Sequence, residues 1–248
     1  MKFVREIGVS GKIGAASVLL FPTVFRSRDS RADFAHQLYK TGISTLPVVT
    51  VVSLFIGMIL ALQVGLELRR FNQEIYLGAA VMISLIREMA PFSCGLCLAS
   101  CVGSSIAAEI GTMKVNDEID ALKIMGISPV KFLAVPRILA LSVMAPLVAF
   151  YCCVIGTIGG GIVGSTQLGV DFGQYISSAM SIAEEKDLFV GLGKALVFGN
   201  VIGIVAVSEG LGTKLGATGV GKSTQRSVIV SFLLILMLGY MITRLCYQ

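Results

Sequence analysis

The stretch that decides the fold covers residues 132–165 and reads FLAVPRILALSVMAPLVAFYCCVIGTIGGGIVGS. Arg137 is the one charged residue in it. A helix needs about 20 predominantly apolar residues to cross the hydrocarbon core of a bilayer, so this stretch predicts a membrane span. Because it is longer than one crossing requires, either a tilted helix or a re-entrant turn near residues 159–161 is compatible with it.

Other apolar stretches predict further spans on both sides of this one. Residues of about 45–68, 188–208 and 227–247 have the length and composition of single spans. Residues of about 75–110 carry two charges and a proline near their start, and we expect one long, kinked span there rather than two short ones. The sequence therefore predicts an all-α integral membrane protein with about five transmembrane helices.

The composition of the 248-residue chain agrees with this fold class. Hydrophobic residues make up 55% of the chain and charged residues only 14%, whereas a soluble domain carries about 25% charged residues. This excludes an ordinary soluble protein, a disordered chain and a nucleic-acid-binding domain. The net charge of +5 then reports the orientation of the spans rather than an anionic partner.

The chain divides into a predicted N-terminal region, residues 1–42, and a predicted transmembrane domain, residues 43–248. Within the first, residues 13–25 are apolar but too short to span, and three basic residues precede them. This pattern is typical of an amphipathic helix that lies in the membrane interface. It does not match a cleavable signal peptide, because no small-residue cleavage site and polar mature region follow.

A second helix is predicted between the interfacial helix and the first span. Ser30 has the hydrogen-bonding side chain of an N-cap, and Asp33 stands three residues later, as in a capping pattern. The helix should run through about Lys40 and end near Gly42, since glycine is common just past the end of a helix.

Basic residues are concentrated in alternate connections between the spans. Seven precede the first span, three lie in residues 111–131 and three lie in residues 209–226, whereas the other connections are richer in acids. Cytoplasmic loops are enriched in lysine and arginine. We therefore expect the N-terminus in the cytoplasm and, after five crossings, the C-terminus outside.

Residues of about 117–126 predict a short amphipathic helix in a cytoplasmic connection. Asn116 can act as its N-cap. Its charges suit the helix dipole, with acids in the first turn and a base near the end: Asp117, Glu118, Asp120 and Lys123. Its apolar stripe consists of Ile119, Leu122 and Met125. Ten residues give about 15 Å, which is too short to span a membrane, so the helix has the position of a docking element.

Among the charged side chains within predicted spans, we single out Arg87, Glu88, Glu109 and Lys194. Charge inside a bilayer is costly and marks functional sites, so these residues are candidates for a polar cavity or a gate. Arg87 and Glu88 are adjacent in a helix and point about 100° apart, so they cannot simply face each other. An interfacial position near water is an equal alternative for Glu109, as is snorkelling to the outer interface for Lys194.

Two motif-like patterns have simpler explanations than a ligand site. The string GATGVGKS at residues 216–223 matches the P-loop expression, but a P-loop joins a buried strand to a helix. Between two spans it predicts a glycine-rich cytoplasmic turn and no nucleotide cofactor. Cys94, Cys97 and Cys101 share one helical face, which predicts packing against a neighbouring helix rather than a metal site. No nucleophile–base set is present either, so we expect no catalysis by this chain.

Glycine recurs at every fourth residue in two of the predicted spans. It does so at Gly156, Gly160 and Gly164, and again at Gly199 and Gly203. Such spacing places small residues on one helical face and allows helices to approach closely. The pattern predicts close packing within a subunit or across a dimer, without naming a function.

The second predicted span and the helix after it contain a long and specific sequence block. It reads SSIAAEIGTMKV at 104–115, EIDALKIMGISP at 118–129 and VPRILA at 135–140, with further blocks HQLYKTG at 36–42, FIGMILALQ at 55–63 and GATGVG at 216–221. Together these resemble the signature of MlaE-type permeases, the membrane subunits of ABC transporters that work with MCE proteins. The resemblance covers nearly the whole chain from about residue 30.

The resemblance implies a set of partners and a cargo. It implies a homodimer with one ABC ATPase bound to each half, a ring of MCE-domain proteins outside, and a small accessory subunit on the ATPase. ATP would be bound by the partner subunit, and the cargo would be a phospholipid or a related lipid moved between inner and outer membranes. The expected location is the bacterial inner membrane, with the chloroplast inner envelope as the alternative.

The resemblance also assigns roles to residues. The short helix would be the coupling helix that inserts into the ATPase, through Glu118, Ile119, Asp120, Leu122, Lys123 and Met125. Polar residues at the inner cavity of the family match Glu109 and Lys194. Three positions depart from the family pattern: Cys101 replaces an arginine, Ala90 a glycine, and Gly239 an acid present in some members. These departures bear on any charge relay and on the cargo, but not on the architecture.

The residues alone leave two other functions open. An ion-coupled secondary transporter would also use intramembrane charges and glycine-interrupted helices, although it has no need of a docking helix. A purely structural membrane scaffold would leave Arg87, Glu88 and Lys194 without a role.

Overall fold

The structure is a computed structural model that describes residues 28–182, 184–214 and 216–247. Most of these residues are helical, and none of them forms a strand. The α-helices are α1 Arg28–Thr41, α2 Leu46–Arg70, α3 Leu77–Ser84, α4 Ala90–Leu98, α5 Ser104–Val115, α6 Glu118–Ile124, α7 Val135–Gln167, α8 Phe172–Ile182, α9 Glu185–Leu211 and α10 Ala217–Tyr247. The interfacial helix expected at residues 13–25 lies outside the described residues.

Five stretches of the described residues are long and apolar enough to cross a membrane. In chain order, these first to fifth spans are Phe34–Arg70, Glu74–Val115, Val130–Gln167, Glu185–Leu211 and Ala217–Tyr247. They confirm the all-α membrane fold predicted from hydropathy. Each extends beyond its predicted bounds, because helical hydrogen bonding continues into polar residues where the apolar pattern stops.

Helix α1, whose second half belongs to the first span, starts earlier than the capping pattern predicts. α1 is already helical at Arg28, so Ser30 lies inside it and the prediction of an N-cap at Ser30 is wrong. A capping residue favours a helix start without preventing the preceding residues from joining the helix. The end of α1 lies where expected, since the amide of Gly42 donates to the Leu38 carbonyl at 2.8 Å. A Cβ at Gly42 would overlap the Met144 side chain.

The second span is one long helix, as predicted, but it changes its winding twice. π-helical segments occupy Leu85–Met89 and Ala99–Gly103, between the α-helical segments α3, α4 and α5. A π-turn holds an additional residue and rotates everything after it around the helix axis. This explains why Cys94 and Cys97 are buried whereas Cys101 is exposed, against the expectation of one shared packing face.

The third span passes through its glycine run without turning back. α7 is continuous across residues 159–161, so the alternative of a re-entrant turn is wrong. The glycines bring neighbours close instead, because a Cβ at Gly159 would overlap the Leu54 carbonyl and one at Gly156 would press on Leu85. In the fourth span, a Cβ at Gly199 would lie 2.6 Å from the Leu141 carbonyl oxygen. The glycine spacing thus serves helix packing.

α8 is a helix that the sequence analysis did not predict. The side chain of Asp171 accepts a hydrogen bond from the Gln174 amide at 3.1 Å and so caps the start of α8. Tyr175, one turn into α8, is fully buried, and its ring lies against Gly161 and Gly164 of α7. Burial raises the pKa of Tyr175 above its usual value.

The fifth span begins ten residues before its predicted start. Helix α10 starts at Ala217, directly after Gly216 at φ +94°, so the prediction of a glycine-rich turn over residues 216–223 is wrong for all but its first residue. The Thr213 and Ser223 hydroxyls hydrogen-bond at 2.9 Å across this helix start. The turn is confined to the residues before Ala217, because one positive-φ glycine is sufficient to redirect the chain.

The chain forms two compact units that are each assembled from separate stretches. The first unit comprises the described part of Met1–Thr45, Gly95–Ala145 and Leu196–Met237. The second comprises Leu46–Cys94, Pro146–Ala195 and the described part of Leu238–Gln248. The candidate residues of the sequence analysis fall into both units, and they are described below unit by unit.

Candidate functional site

A buried lysine lies at the centre of a polar cluster in the second unit. The Lys194 side chain is 1% exposed. Its ammonium donates to the Arg87 backbone carbonyl at 2.6 Å, to Glu88 Oε1 at 2.7 Å and to Thr243 Oγ1 at 2.8 Å. The Thr243 hydroxyl also lies within hydrogen-bonding distance of Glu88. Since an ammonium group has three N–H donors, all three are engaged.

The neighbouring guanidinium forms a second set of contacts. Arg87 Nη2 donates to Asp187 Oδ2 at 2.9 Å, and the Tyr247 hydroxyl donates to Asp187 Oδ1 at 2.7 Å. The Arg87 guanidinium also lies over the Tyr247 ring, 4.4 Å from its centroid, within range of a cation–π interaction. Asp187 is almost fully buried, with 2% of its side chain exposed.

These six residues form the Lys194 cluster: Arg87, Glu88, Asp187, Lys194, Thr243 and Tyr247. It contains two cations and two carboxylates, so its formal charge is zero. Charge neutrality and multiple hydrogen bonds reduce the cost of placing ions where water is scarce. Arg87 and Glu88 have different partners, as expected for adjacent helical residues. The snorkelling alternative for Lys194 is wrong, because its ammonium is buried rather than extended to water.

Half of this cluster, namely Asp187, Thr243 and Tyr247, is not among the candidate residues that the sequence predicts. Their partners are 49 to 155 positions away along the chain, so no local pattern could pair them. The one available signal is that Asp187 stands in the first turn of an apolar span.

A second ion cluster lies in the first unit around Glu109. The Lys40 ammonium and the Ser105 hydroxyl donate to its Oε1, the latter at 3.3 Å, and Arg137 Nη2 donates to its Oε2 at 3.3 Å. Arg137 also donates to the Leu133 carbonyl at 3.1 Å. Lys40, Ser105, Glu109 and Arg137 form the Glu109 cluster, which connects α1, the second span and the start of the third span.

The two cations of this cluster differ in exposure. The Arg137 side chain is only 12% exposed, whereas Lys40 and Glu109 are 37% and 35% exposed. Glu109 is therefore near the surface and also compensates a largely buried cation; its role in a cavity or gate stays a prediction.

The connection between the second and third spans contains the short helix α6. The helix is capped differently from the prediction: Asn116 is the C-cap of α5, and Asp117 at φ +60° stands at the N-cap of α6 without a side-chain cap bond. The prediction of an Asn116 N-cap is therefore wrong. The two helices follow each other so closely that one left-handed residue forms the joint, and aspartate tolerates that conformation.

The apolar stripe of α6 is also arranged differently from the prediction. Ile119 is buried, at 2% exposed, and Leu122 is partly buried. The exposed apolar side chains are Ile124 and Met125, at 87% and 64%. The reason is that Ile119 packs into its own unit, which turns the C-terminal end of α6 outward.

Asp120 links α6 to the C-terminal end of the second span. Lys123 and Lys114 donate to its carboxylate at 2.6 Å and 2.9 Å. These hydrogen bonds, that from Lys123 first, lower the pKa of Asp120 below its usual value. The carboxylate therefore stays ionised, and its bond to Lys114 ties the helix to the end of α5.

An apolar groove lies beside the Lys194 cluster in the second unit. It is lined by Ile86, Ala90, Pro91, Phe150, Leu188 and Leu192. Two of these residues, Ile86 and Ala90, flank the charged pair Arg87 and Glu88 along the second span. Side chains of opposite polarity therefore lie next to each other. Within the described residues, no group of three histidines, cysteines or carboxylates could hold a metal ion.

The model of the permease MlaE family matches residues 34–245. The chain belongs to the MlaE permease family. It is 37% identical to a probable ABC transporter permease protein of Rickettsia typhi, over 100% of this chain and 95% of that protein. It is 30% identical to the intermembrane phospholipid transport system permease protein MlaE of Haemophilus influenzae, over 95% of this chain and 92% of that protein.

A plant protein extends the range of relatives. The chloroplastic protein trigalactosyldiacylglycerol 1 of Arabidopsis thaliana is 28% identical, over 97% of this chain and 68% of that protein. These similarities and the five apolar spans identify the present chain as a multi-pass ABC transporter permease of the MlaE family. The resemblance drawn from the sequence blocks is thereby confirmed.

Proposed function

We propose that this MlaE-family permease moves phospholipids or related lipids between the inner and outer membranes, driven by a separate ATPase subunit. The name of the Haemophilus influenzae relative supports the cargo, and the names of the Rickettsia relatives support the transporter class. No cofactor is required of this chain, since ATP is bound and hydrolysed by the partner.

The single observation that carries this proposal is the ion cluster beside an apolar groove. A phospholipid combines a charged headgroup with apolar acyl chains, so it suits charged and apolar side chains that lie next to each other. Arg87 and Glu88 retain 36% and 42% of their side-chain exposure, so they can meet a headgroup while acyl chains lie along Phe150 and Leu188. Arg87, Glu88 and Lys194 then belong to the lipid cavity or its gate.

The exposed end of α6 is the proposed ATPase contact. Two large apolar side chains, Ile124 and Met125, stand exposed on a helix that connects two spans. Exposed apolar groups outside the bilayer are typical of a protein interface. Of the six residues predicted for the ATPase contact, Ile119, Asp120 and Lys123 hold α6 in place within this chain. The other three, Glu118, Leu122 and Met125, lie toward the ATPase. Ile124 is added to the residues that lie toward the ATPase.

The Glu109 cluster is the proposed link between α6 and the spans. Glu109 stands near the end of the second span and Arg137 near the start of the third, and α6 lies between them in sequence. Their ion pair at 3.3 Å makes both spans follow a displacement of α6 together. The hydrogen bond from Lys40 to Glu109 couples α1 to the same displacement. Glu109 thus contributes to the gate by transmitting the displacement of α6 to the spans, rather than by contact with lipid.

We further propose a homodimer, in which the fifth span contributes to the contact. The most apolar window of this span is only 17% buried within the chain, against 61% for the second span. Its exposed side chains include Leu233, Leu236, Met237, Tyr240 and Met241. A second copy and the bilayer would together cover this face. An MCE-domain ring outside the membrane and an accessory subunit on the ATPase complete the assembly.

The distribution of basic residues supports the orientation. With the N-terminus and α6 in the cytoplasm, α6 faces the compartment that supplies ATP, and the C-terminus lies outside. The proposed location is the bacterial inner membrane; the chloroplastic relative supports the inner envelope as the alternative. An ion-coupled carrier remains the second candidate, and the neutral Lys194 cluster, with its buried lysine and aspartate, is the observation that favours it.

The proposal is tested by the lipid that the protein carries. We expect the full chain, purified in detergent, to retain phospholipid that native mass spectrometry detects. Arg87→Met should reduce the bound fraction several-fold, because it removes the accessible cation, whereas Arg70→Met changes an exposed pair that does not line the groove and should leave the fraction unchanged. Equal lipid content in both variants, or no bound lipid in the unmodified chain, would contradict the proposed site.

A further inference from the structure

The segment that bears Arg87 and Glu88 has an unusual backbone hydrogen-bonding pattern. Leu85–Met89 is π-helical, and the Ala90 amide donates to the Leu85 carbonyl, five residues back. Position 91, where an α-helix would supply the donor for the Arg87 carbonyl, is a proline. Proline has no N–H. The Arg87 carbonyl therefore has no α-helical donor, although it lies inside a membrane span.

A backbone carbonyl without a donor is costly in a membrane protein, because no bulk water is available to replace the missing bond. The Lys194 ammonium lies 2.6 Å from this oxygen. Lys194 is also 1% exposed, so its bond to the carbonyl is shielded from competing water. The side chain therefore takes the place of the amide that Pro91 lacks.

The packing of the fourth span supports this arrangement. Gly191 stands three residues before Lys194, so the two lie on the same face of α9. A Cβ at Gly191 would overlap the carbonyl oxygen of Ile86, the residue just before Arg87. The absence of a side chain at Gly191 thus lets α9 approach the π-helical segment closely enough for the Lys194 ammonium to reach its backbone.

We propose that Lys194 is a positioning residue that supplies the donor missing at Pro91 and thereby holds the π-helical segment from which Arg87 and Glu88 project. Its three N–H groups are used by Arg87 O, Glu88 and Thr243, so none is left for a lipid headgroup. Lys194 then acts through Arg87 and Glu88, and they are the groups left to face the cargo. The backbone part of this role does not depend on the proposed lipid function.

The test asks whether an amide restored at position 91 compensates for the loss of Lys194. The background is Glu88→Gln with Lys194→Met, which removes both charges of the ion pair together and takes away the ammonium donor to the carbonyl. Pro91→Ala is added to this background and, separately, to the unmodified chain. Pro146→Ala is the matched control, because Pro146 is also inside a span but lies away from the Arg87 carbonyl along the chain.

We expect Pro91→Ala to raise the apparent Tm of the full chain in the background by about 3 °C or more, as for one buried polar group regaining its partner. The same change should give no such gain where Lys194 is intact, and Pro146→Ala should give equal effects in both. Equal effects of Pro91→Ala with and without Lys194 would overturn the proposal. If the background is not recovered folded, Glu88→Gln with Lys194→Leu replaces it, because leucine likewise has no donor, with the same comparison and the same deciding outcome.

The positioning role is separated from a general structural one by the bound phospholipid of these variants. Because Lys194 offers no free donor, Lys194→Met with Pro91→Ala should retain more phospholipid than Lys194→Met alone, as measured by native mass spectrometry. Retention that stays at the level of Lys194→Met, despite a restored Tm, would mean that Lys194 itself contacts the lipid and would overturn this part of the proposal. If the unmodified chain contains no bound phospholipid, this counts against the proposed function, and the Tm comparison still decides the role of Lys194.

Discussion

The exposed end of α6 permits a quantitative prediction about the ATPase contact. Ile124 and Met125 are 87% and 64% exposed in the isolated chain. Complete burial of a large apolar side chain contributes about 1.5–3 kcal/mol. Scaled by the exposed fractions, Ile124→Ala with Met125→Ala should weaken the contact by about 2–4 kcal/mol, which corresponds to about 30- to 1,000-fold in Kd.

The assay is the affinity of the purified permease for its partner ATPase, measured by biolayer interferometry in detergent. The matched control is Phe71→Ala with Ile75→Ala, because these side chains are 72% and 55% exposed and lie, respectively, in the connection between the first and second spans and at the start of the second span. The control should bind the ATPase as the unmodified chain does. An unchanged Kd for the α6 variant, or an equal loss in the control, would refute α6 as the docking element.

Glu109→Gln should lower lipid transport per ATP hydrolysed and reduce the apparent Tm by several degrees, because it leaves the largely buried Arg137 without its carboxylate; an unchanged transport-to-ATP ratio would contradict the transmission role. Gly57→Ala should destabilise the chain strongly, because its Cβ would overlap a carbonyl oxygen of the third span, whereas Gly193→Ala, with nothing within 4 Å, should be tolerated; equal Tm values for the two would contradict this packing. Lys222→Ala should leave ATP hydrolysis by the assembled complex within about threefold, because a P-loop needs a preceding strand; loss of ATP binding by the isolated permease would show that the glycine-rich string is a nucleotide site.

The spans could be predicted from sequence because membrane insertion depends on a property that is local in sequence. An apolar stretch of about 20 residues is sufficient for a span, and all five spans contain one. Their internal winding is not readable in the same way. Pro91 indicates an irregularity, but no local pattern predicts that the π-helical segment Leu85–Met89 meets Lys194, which is 107 positions from Arg87.

The candidate site could be predicted only in its charged residues. Arg87, Glu88 and Lys194 stand out because charge is rare in apolar spans, yet their pairing with Thr243 and Tyr247 depends on how distant helices meet. α6 shows the same limit on a smaller scale. Helical periodicity placed Ile119 on the exposed stripe, but packing of α6 against its own unit buried it.

Short polar segments were the hardest to predict. α8 was missed because an eleven-residue helix has no span-length hydropathy signal, although Asp171 and the spacing of Tyr175 and Ala179 fit a capped helix with one buried face. The start of α10 was placed too late, since three glycines near residues 216–221 resemble a turn. Among these glycines only Gly216 has a positive φ. Which glycine adopts this conformation depends on tertiary structure.

The central claim is tested most directly by the energy source of lipid transfer. The full chain is reconstituted into proteoliposomes with its partner ATPase and MCE-domain protein, and transfer of a fluorescent phospholipid to acceptor vesicles is followed with and without a proton ionophore. The account predicts transfer that requires ATP hydrolysis and continues when the proton gradient is collapsed. Transfer that persists without the ATPase and stops with the ionophore would contradict it and identify an ion-coupled carrier.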